Sequence, residues 1–404
     1  MKKFLKFLKY CFFAIAILIV LGLATIYIGH KFIFPIPYSE TTTIPDIKEG
    51  GLCLGVGCQP PIKTVDAFIP AFADQLIHYN QVAPSLWPDN QVVNLYAAVQ
   101  SIESGKSWLI SPEGNVSSLT SEELKEICPI QPKYNIGFEL CDSDSMQVVY
   151  LALSEEALNN VLEYQKYQYL GSYDLLLTYN HEMFHKMEQD QKWESPETID
   201  NRARDPRFDQ LEARTERLFI VQLLQEAMAA ETQSQRDSLI LQALSNYQYY
   251  RNTFPEDYKA AQYFDRIEGT AHYYEIVSSL YSAYPEQIDS AETLHEALRL
   301  LAKSNNPKPY EEPGIVNESY VLGAWAGFLL DEVQADNSEW KTDIMQNPDL
   351  TPMDILAQQF EGMPLPDPVR PSSEIENEVK DAILAEENKQ VAPGIFRLLY
   401  QLIF

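Results

Sequence analysis

Apolar and polar positions divide this chain into a front part that mixes helix and strand and a long helical remainder. Tyr10 to Gly29 is an uncharged, mostly apolar run, about 30 Å long as a helix and enough to cross a bilayer. Helical patterns follow over 64–79 and 91–104. Ser107-Trp108-Leu109-Ile110 reads as a strand closed by a Pro-Glu-Gly turn, and Met146 to Leu153 is the clearest strand pattern in the chain. A helix capped by Ser154 is expected over 154–165. No Pro or Gly occurs from Ser172 to Trp193, and a helix is expected there too, with Leu176, Tyr179 and Met183 on its apolar face. Beyond it, helices are expected over 208–233, 237–250, 256–283, 291–303, 318–333 and 373–387. The first three of these, joined by short turns, should bundle against the helix of 172–193. Gly323, Ala324, Ala326 and Gly327 would let the 318–333 helix pack closely. Its short length and acidic ends read as a buried core helix rather than a second span. Pro364 to Pro371 reads as a linker, and Gly394 to Phe404 as an apolar end that docks on the domain or touches the bilayer.

Composition adds a compartment. Lys2, Lys3, Lys6 and Lys9 precede the apolar run, which predicts a cytoplasmic N-terminus and an exported body. Gly22-Leu23-Ala24 offers a cleavage site for a signal peptide, but the run continues through Ile26-Tyr27-Ile28, which favours an uncleaved anchor. The expected organisation is a tail and transmembrane anchor over 1–31, a linker with a disulfide loop over 32–62, and one domain over 63–404. Within that domain, 63–168 is mixed α/β and 169–404 helical. With 46% hydrophobic residues the chain can bury a sizeable core. The formal charge is −28, and the body without the N-terminal lysines is more acidic still, which argues against nucleic acid and anionic membrane surfaces as partners. Four exported cysteines, Cys53, Cys58, Cys128 and Cys141, allow three pairings, of which neighbour pairing is expected. They lack the C-x-x-C spacing of a zinc site, and an oxidising compartment favours disulfides.

Candidate chemistry lies in His181-Glu182-Met183-Phe184-His185. On a helix, residues i and i+4 stand one turn apart on one face, so both imidazoles can reach a single metal ion. Glu182, rotated about 100° around the axis, can face a water on that metal and act as its base. A catalytic zinc site usually takes a third protein ligand. The route through a His six residues after His185 is closed, because that position is Gln191 and no Gly intervenes. A carboxylate on a later helix is the other route. Glu268, followed by Gly269, Thr270 and Ala271, is the leading candidate, because small residues there let two helices approach. Glu212 and Glu188 are the alternatives. Donors for an oxyanion are sought in His272, one turn beyond Glu268, and in Tyr273, Tyr274 and Tyr320; Glu275 could orient a ligand histidine.

The H-E-x-x-H motif with the later Glu268-Gly269-Thr270-Ala271-His272-Tyr273-Tyr274 resembles the gluzincin group of zinc metallopeptidases, whose glycyl aminopeptidase-like members carry a similar E-G-x-x-x-Y-Y. Leu211 through Arg236 and Arg251 to Glu275 looks like bacterial exported members of that group. So do Tyr320-Val321-Leu322-Gly323, Leu329-Leu330-Asp331 and Trp340. The likeness spans about residues 170 to 360. It implies a zincin-like core, a Zn2+ cofactor, a peptide or protein substrate, His181, His185 and Glu268 as ligands, and Glu182 as base. The competing readings are an exported helical binding protein with a degenerate motif, and a metal-dependent hydrolase of another bond. Neither G-x-S-x-G nor a P-loop is present.

Overall fold

The computed structural model describes residues 47–49, 52–54, 62, 64–90, 92–129, 136–143, 146–155, 180–194, 211–303, 314–334 and 338–391. Two compact units are distinguished, residues 41–379 and a second made of 1–40 with 380–404. The larger unit is predominantly helical with a small mixed sheet, and all that follows concerns it. The expected anchor over 10–29, the helix over 154–165 beyond Glu155 and the C-terminal segment 394–404 lie outside the described residues. Among the described residues no helix is long and apolar enough to cross a membrane.

Strands β1 (Ile47–Glu49) and β2 (Leu52–Leu54) form a small antiparallel pair. Helix α1 (Val65–Leu86) starts at Thr64, whose side chain accepts from the Ala67 N–H. It runs seven residues past the expected end and contains Pro70 and Pro84. A five-stranded sheet follows, from β3 (Tyr96–Ser101), β4 (Ser107–Ile110), β5 (Val116–Leu119), β6 (Ile136–Ser143) and β7 (Met146–Leu153). Its order is β5-β4-β3-β7-β6; β3 and β7 run parallel and the other pairs antiparallel. The turn at 112–114 closes on Gly114, with φ of +78°, a region open to glycine at little cost.

The helix expected over 91–104 is a correction: that segment holds β3. Ala97-Ala98-Val99 has a composition that helices also use, and tertiary pairing decides the matter. β3 is hydrogen-bonded on both sides, to β4 and β7. Both faces of the sheet are covered. Ala97, Val99, Val149, Leu151 and Leu153 join the main core under α1. Ala98, Val148, Tyr150 and Ala152 meet Leu124 of the short helix α2 (Ser121–Ile127) and the Cys128–Cys141 pair. These two cysteines stand at disulfide distance, with Cα atoms 5.2 Å apart. Cys58 lies outside the described residues.

The rest is helical: α3 (180–192), α4 (Leu211–Ala229), α5 (Gln233–Thr253), α6 (Pro255–Ala283), α7 (Ala291–Lys303), α8 (Ile315–Val333), α9 (Ser338–Gln346), α10 (Pro352–Gln359) and α11 (Ser373–Val391). Helix α6 is the hub, and its residues sort by helical spacing into three stripes. Asp265, Gly269 and Tyr273 meet the matching stripe of α8, Ser319, Gly323, Gly327 and Asp331. Ser319 Oγ donates to Asp265 at 2.6 Å, a methyl group built on Gly269 would lie 2.6 Å from the Cα of Gly323, and the Tyr273 hydroxyl donates to Asp331. Thr270, Tyr274 and Ser278 meet α3. Glu268, His272 and Glu275 form the third stripe. The close approach expected between Gly269 and the histidine helix is thus made with α8 instead, because a glycine pair lets two backbones touch. Of the three helices expected to bundle against α3, α6 is the one that packs on it; α4 pairs chiefly with α5 and α8.

Candidate metal centre

Helix α3 is seated on α6 by polar ends and an apolar middle. Asn180 donates to Ser278 Oγ at 2.7 Å. Phe184 stacks on Tyr274, with ring centroids 4.5 Å apart, and meets the edge of Trp87. Tyr274 itself is held by Tyr79 and Asn90, each at 2.9 Å. The middle of α3, Phe184–Gln189, is a π-helical turn, closed by the Asp190 N–H on the His185 carbonyl. Such turns are rare and re-aim side chains.

This seating brings His181, His185 and Glu268 together. Their facing atoms form a triangle: His181 Nε2 to His185 Nε2 is 2.9 Å, His185 Nε2 to Glu268 Oε2 is 3.2 Å and His181 Nε2 to Glu268 Oε2 is 3.3 Å. Ligands about 2.0–2.1 Å from a tetrahedral zinc would stand about 3.3 Å apart, close to these edges. Glu212 is exposed on α4, and Glu188 is buried beside Lys192, with 3.2 Å between their charged atoms. Neither alternative ligand joins the triangle. The arginines that might have neutralised Glu268 are engaged elsewhere. Arg266 donates to the carbonyls of Ile344 and Glu194, and Arg251 pairs with Asp354 at 3.2 Å.

The far nitrogens of the rings decide where the protons are. His185 Nδ1 lies 2.5 Å from Gln189 Oε1. His181 Nδ1 approaches Glu275 Oε2 at 2.8 Å as an ion-pair contact, off the line of a good hydrogen bond. His272 Nδ1 lies 2.5 Å from the other oxygen of Glu275. Each Nδ1 faces an acceptor and so carries the hydrogen, which leaves each neutral ring a bare lone pair on Nε2. Two such lone pairs and a carboxylate oxygen converge in the triangle, and they repel unless a cation lies among them. Without a metal, that cation is a proton shared with the histidine–Glu268 contact. Burial disfavours a charged His181, but Glu275 and then Glu268 outweigh it and raise its pKa to about 10. Burial would raise Glu275, yet His272 and His181 bring it down to about 2. Glu268 is likewise held well below the usual carboxylate range against its burial, by its contacts with His181 and His185. The site is built around positive charge.

The remaining candidates separate. Glu182 is half-buried next to His181 and has no hydrogen bond or ion pair among the described residues. His272 is buried at the edge of the cluster, its Nε2 without a partner and its ring edge-on to Tyr320. Tyr320, half-buried on α8, stacks on His181 with centroids 5.3 Å apart and planes 11° from parallel. Tyr273 is a correction. It is 1% exposed, its hydroxyl is taken by Asp331, and Trp87, Phe328 and Trp340 pack around its ring. Five residues beyond Glu268 it falls about 140° around the helix, on the stripe facing α8 rather than the one that carries Glu268. Tyr274, on the stripe facing α3, is equally committed to the core. Gln189 was not singled out by the sequence, although its place four residues after His185 is a signal that could have found it. Comparison with protein-family models, curated proteins and solved structures finds no match to this chain.

Proposed function

We propose that this chain is a zinc-dependent metallopeptidase of the gluzincin type, with a zincin-like core, acting outside the cytoplasm from a membrane-anchored N-terminus. The observation that carries the reading is the triangle of acceptor atoms from His181, His185 and Glu268. These come from two helices 83 residues apart, and no arginine or lysine neutralises the triangle among the described residues. Imidazole and carboxylate in this number and geometry suit zinc and leave a fourth position open. Zinc held there supplies a Lewis acid that lowers the pKa of a coordinated water to about 7.

The chain's own residues do the rest. Glu182 takes a proton from the attacking water and passes it to the leaving amine. Glu275 keeps His181 in the tautomer that offers Nε2. Tyr320, through its hydroxyl, is assigned to the oxyanion that develops on the carbonyl oxygen. His272, tied to the same carboxylate as His181, takes a positioning role in this reading rather than a catalytic one. A peptide substrate is favoured by β6. Among the described residues this strand forms one edge of the sheet, and it lies beside α3, with Lys186 Nζ 3.9 Å from Glu139. An extended peptide can pair with such an edge. The lysine-flanked apolar run at the N-terminus supports the export.

The test is Glu182→Gln in the full chain, assayed on a mixed peptide library alongside its zinc content. Turnover should fall by about 10²–10⁴-fold with zinc retained, whereas His181→Ala should lose both. Hydrolysis that survives Glu182→Gln, or that a strong chelator leaves untouched, would refute the assignment.

A further inference from the structure

Gln189 is a buried amide, 4% exposed, with each of its polar atoms committed. Its Nε2 donates to the Ile267 carbonyl at 2.9 Å and to Thr270 Oγ1 at 2.8 Å, both on α6. The Thr270 hydroxyl hydrogen is itself given to the Arg266 carbonyl at 2.7 Å, so its oxygen is free to accept. A backbone carbonyl can only accept, which fixes the amide with its nitrogen toward α6 and its oxygen toward His185. Oε1 then stands 2.5 Å from His185 Nδ1 and can only accept from it. A ring that donates through Nδ1 has its lone pair on Nε2, the atom that enters the triangle with His181 and Glu268.

We infer that Gln189 is a positioning residue that selects the metal-binding tautomer of His185, and that the π turn over Phe184–Gln189 places it there. This rests on the metal reading above for its purpose, but the hydrogen-bond argument is independent of any ion. The two histidines are therefore oriented by different means. His181 leans on the carboxylate of Glu275, which adds negative charge. His185 leans on a neutral amide, which fixes its direction without adding charge to a cluster that already holds two carboxylates. The amide also ties the ring to α6, the helix that carries Glu268. One side chain thus sets the tautomer of one ligand and its register against another.

The test uses the full chain labelled with 15N-histidine, metal-free at pH 8, and then zinc titrated against a competing chelator. In the wild type His185 should show the Nδ1–H tautomer alone. Gln189→Leu removes the acceptor and should give a mixture of tautomers and zinc binding about 10–100-fold weaker. Gln189→Glu keeps an acceptor oxygen on Nδ1 but loses both donors to α6. It should recover zinc affinity to within a few-fold of wild type while melting at a lower temperature. Affinity that follows melting temperature across the variants, rather than the acceptor, overturns the proposal. So does an Nε2–H tautomer in the wild type, or an unchanged tautomer and affinity in Gln189→Leu. If the wild type takes up no zinc, the metal reading fails, and the tautomer measurement still judges Gln189 by itself.

Discussion

Two of the polar clusters buried among the described residues are anchored on α6, and they are built on opposite principles. The first lies between α4, α6 and α8. Arg214 and Arg217 are each 0% exposed. Arg217 meets Asp265 at 2.6 Å and Glu318 at 2.8 Å, and Arg214 meets Glu318 at 2.5 Å and also Asp257. Ser319 and Tyr250 add hydroxyl donors. Each carboxylate there receives N–H or O–H groups, so that donors meet acceptors across the cluster. The second cluster is the triangle of His181, His185 and Glu268, where, with the rings neutral, acceptors face acceptors. A balanced cluster supports the fold; one whose lone pairs converge is a place for something the polypeptide does not supply. Counting donors against acceptors separates them where counting charged residues would not.

Breaking the balanced cluster should have the largest effect. Arg217→Met leaves Asp265 buried without its arginine and Glu318 with one of its two, and stability should fall by about 3–5 kcal/mol, read by denaturant unfolding. A loss under 1 kcal/mol would mean that this network is not the internal support described. Gly323→Ala comes next. Its methyl group would lie 2.5 Å from the Gly269 Cα and 2.6 Å from the Asp265 carbonyl, and neither backbone atom can turn aside. A destabilisation of about 1–3 kcal/mol is expected. Because α8 carries both Glu318 and Tyr320, this one substitution should disturb both clusters.

The smallest effect depends on pH and belongs to the second cluster alone. Glu275 titrates near 4.5 when unfolded and is held at about 2 in the folded, metal-free protein. A depressed carboxylate contributes stability that is present above its unfolded pKa and is lost as pH falls through the folded one. Glu275→Gln should therefore melt below wild type at pH 7, with the gap closing between pH 4.5 and about 2. A gap that stays constant over that range would show that Glu275 acts by packing and not by charge.

How much of this could be read beforehand follows from the range of the forces. Helices α4 to α8 were legible because their breakers and apolar spacing are local. The same holds for β4 and β7, whose bounds agree with the reading at 107–110 and 146–153. β3 was not, since its Ala-Ala-Val run becomes a strand only through neighbours on both sides. The short helices α2, α9 and α10 carry too few residues for a period to emerge. At the site, His181, Glu182 and His185 were visible in one turn of helix, and Glu268 through the small residues after it. The direction of Tyr273 follows from its spacing to Glu268, five residues that turn it away from the Glu268 stripe. The spacing of Gln189 to His185 was there to be read, but its role depends on a π turn and on two α6 acceptors some 80 residues away. The Arg214–Arg217 network was equally hidden, since charged helix residues look alike until burial is known.

The central claim is that the converging lone pairs hold a metal. Its most direct measurement is zinc per chain by elemental mass spectrometry, on purified full-length protein after exhaustive dialysis. About one zinc per chain is expected in the wild type and none in a His181→Ala, Glu268→Ala double variant that remains folded. A folded wild-type protein without zinc, or a double variant that keeps it, would contradict the account.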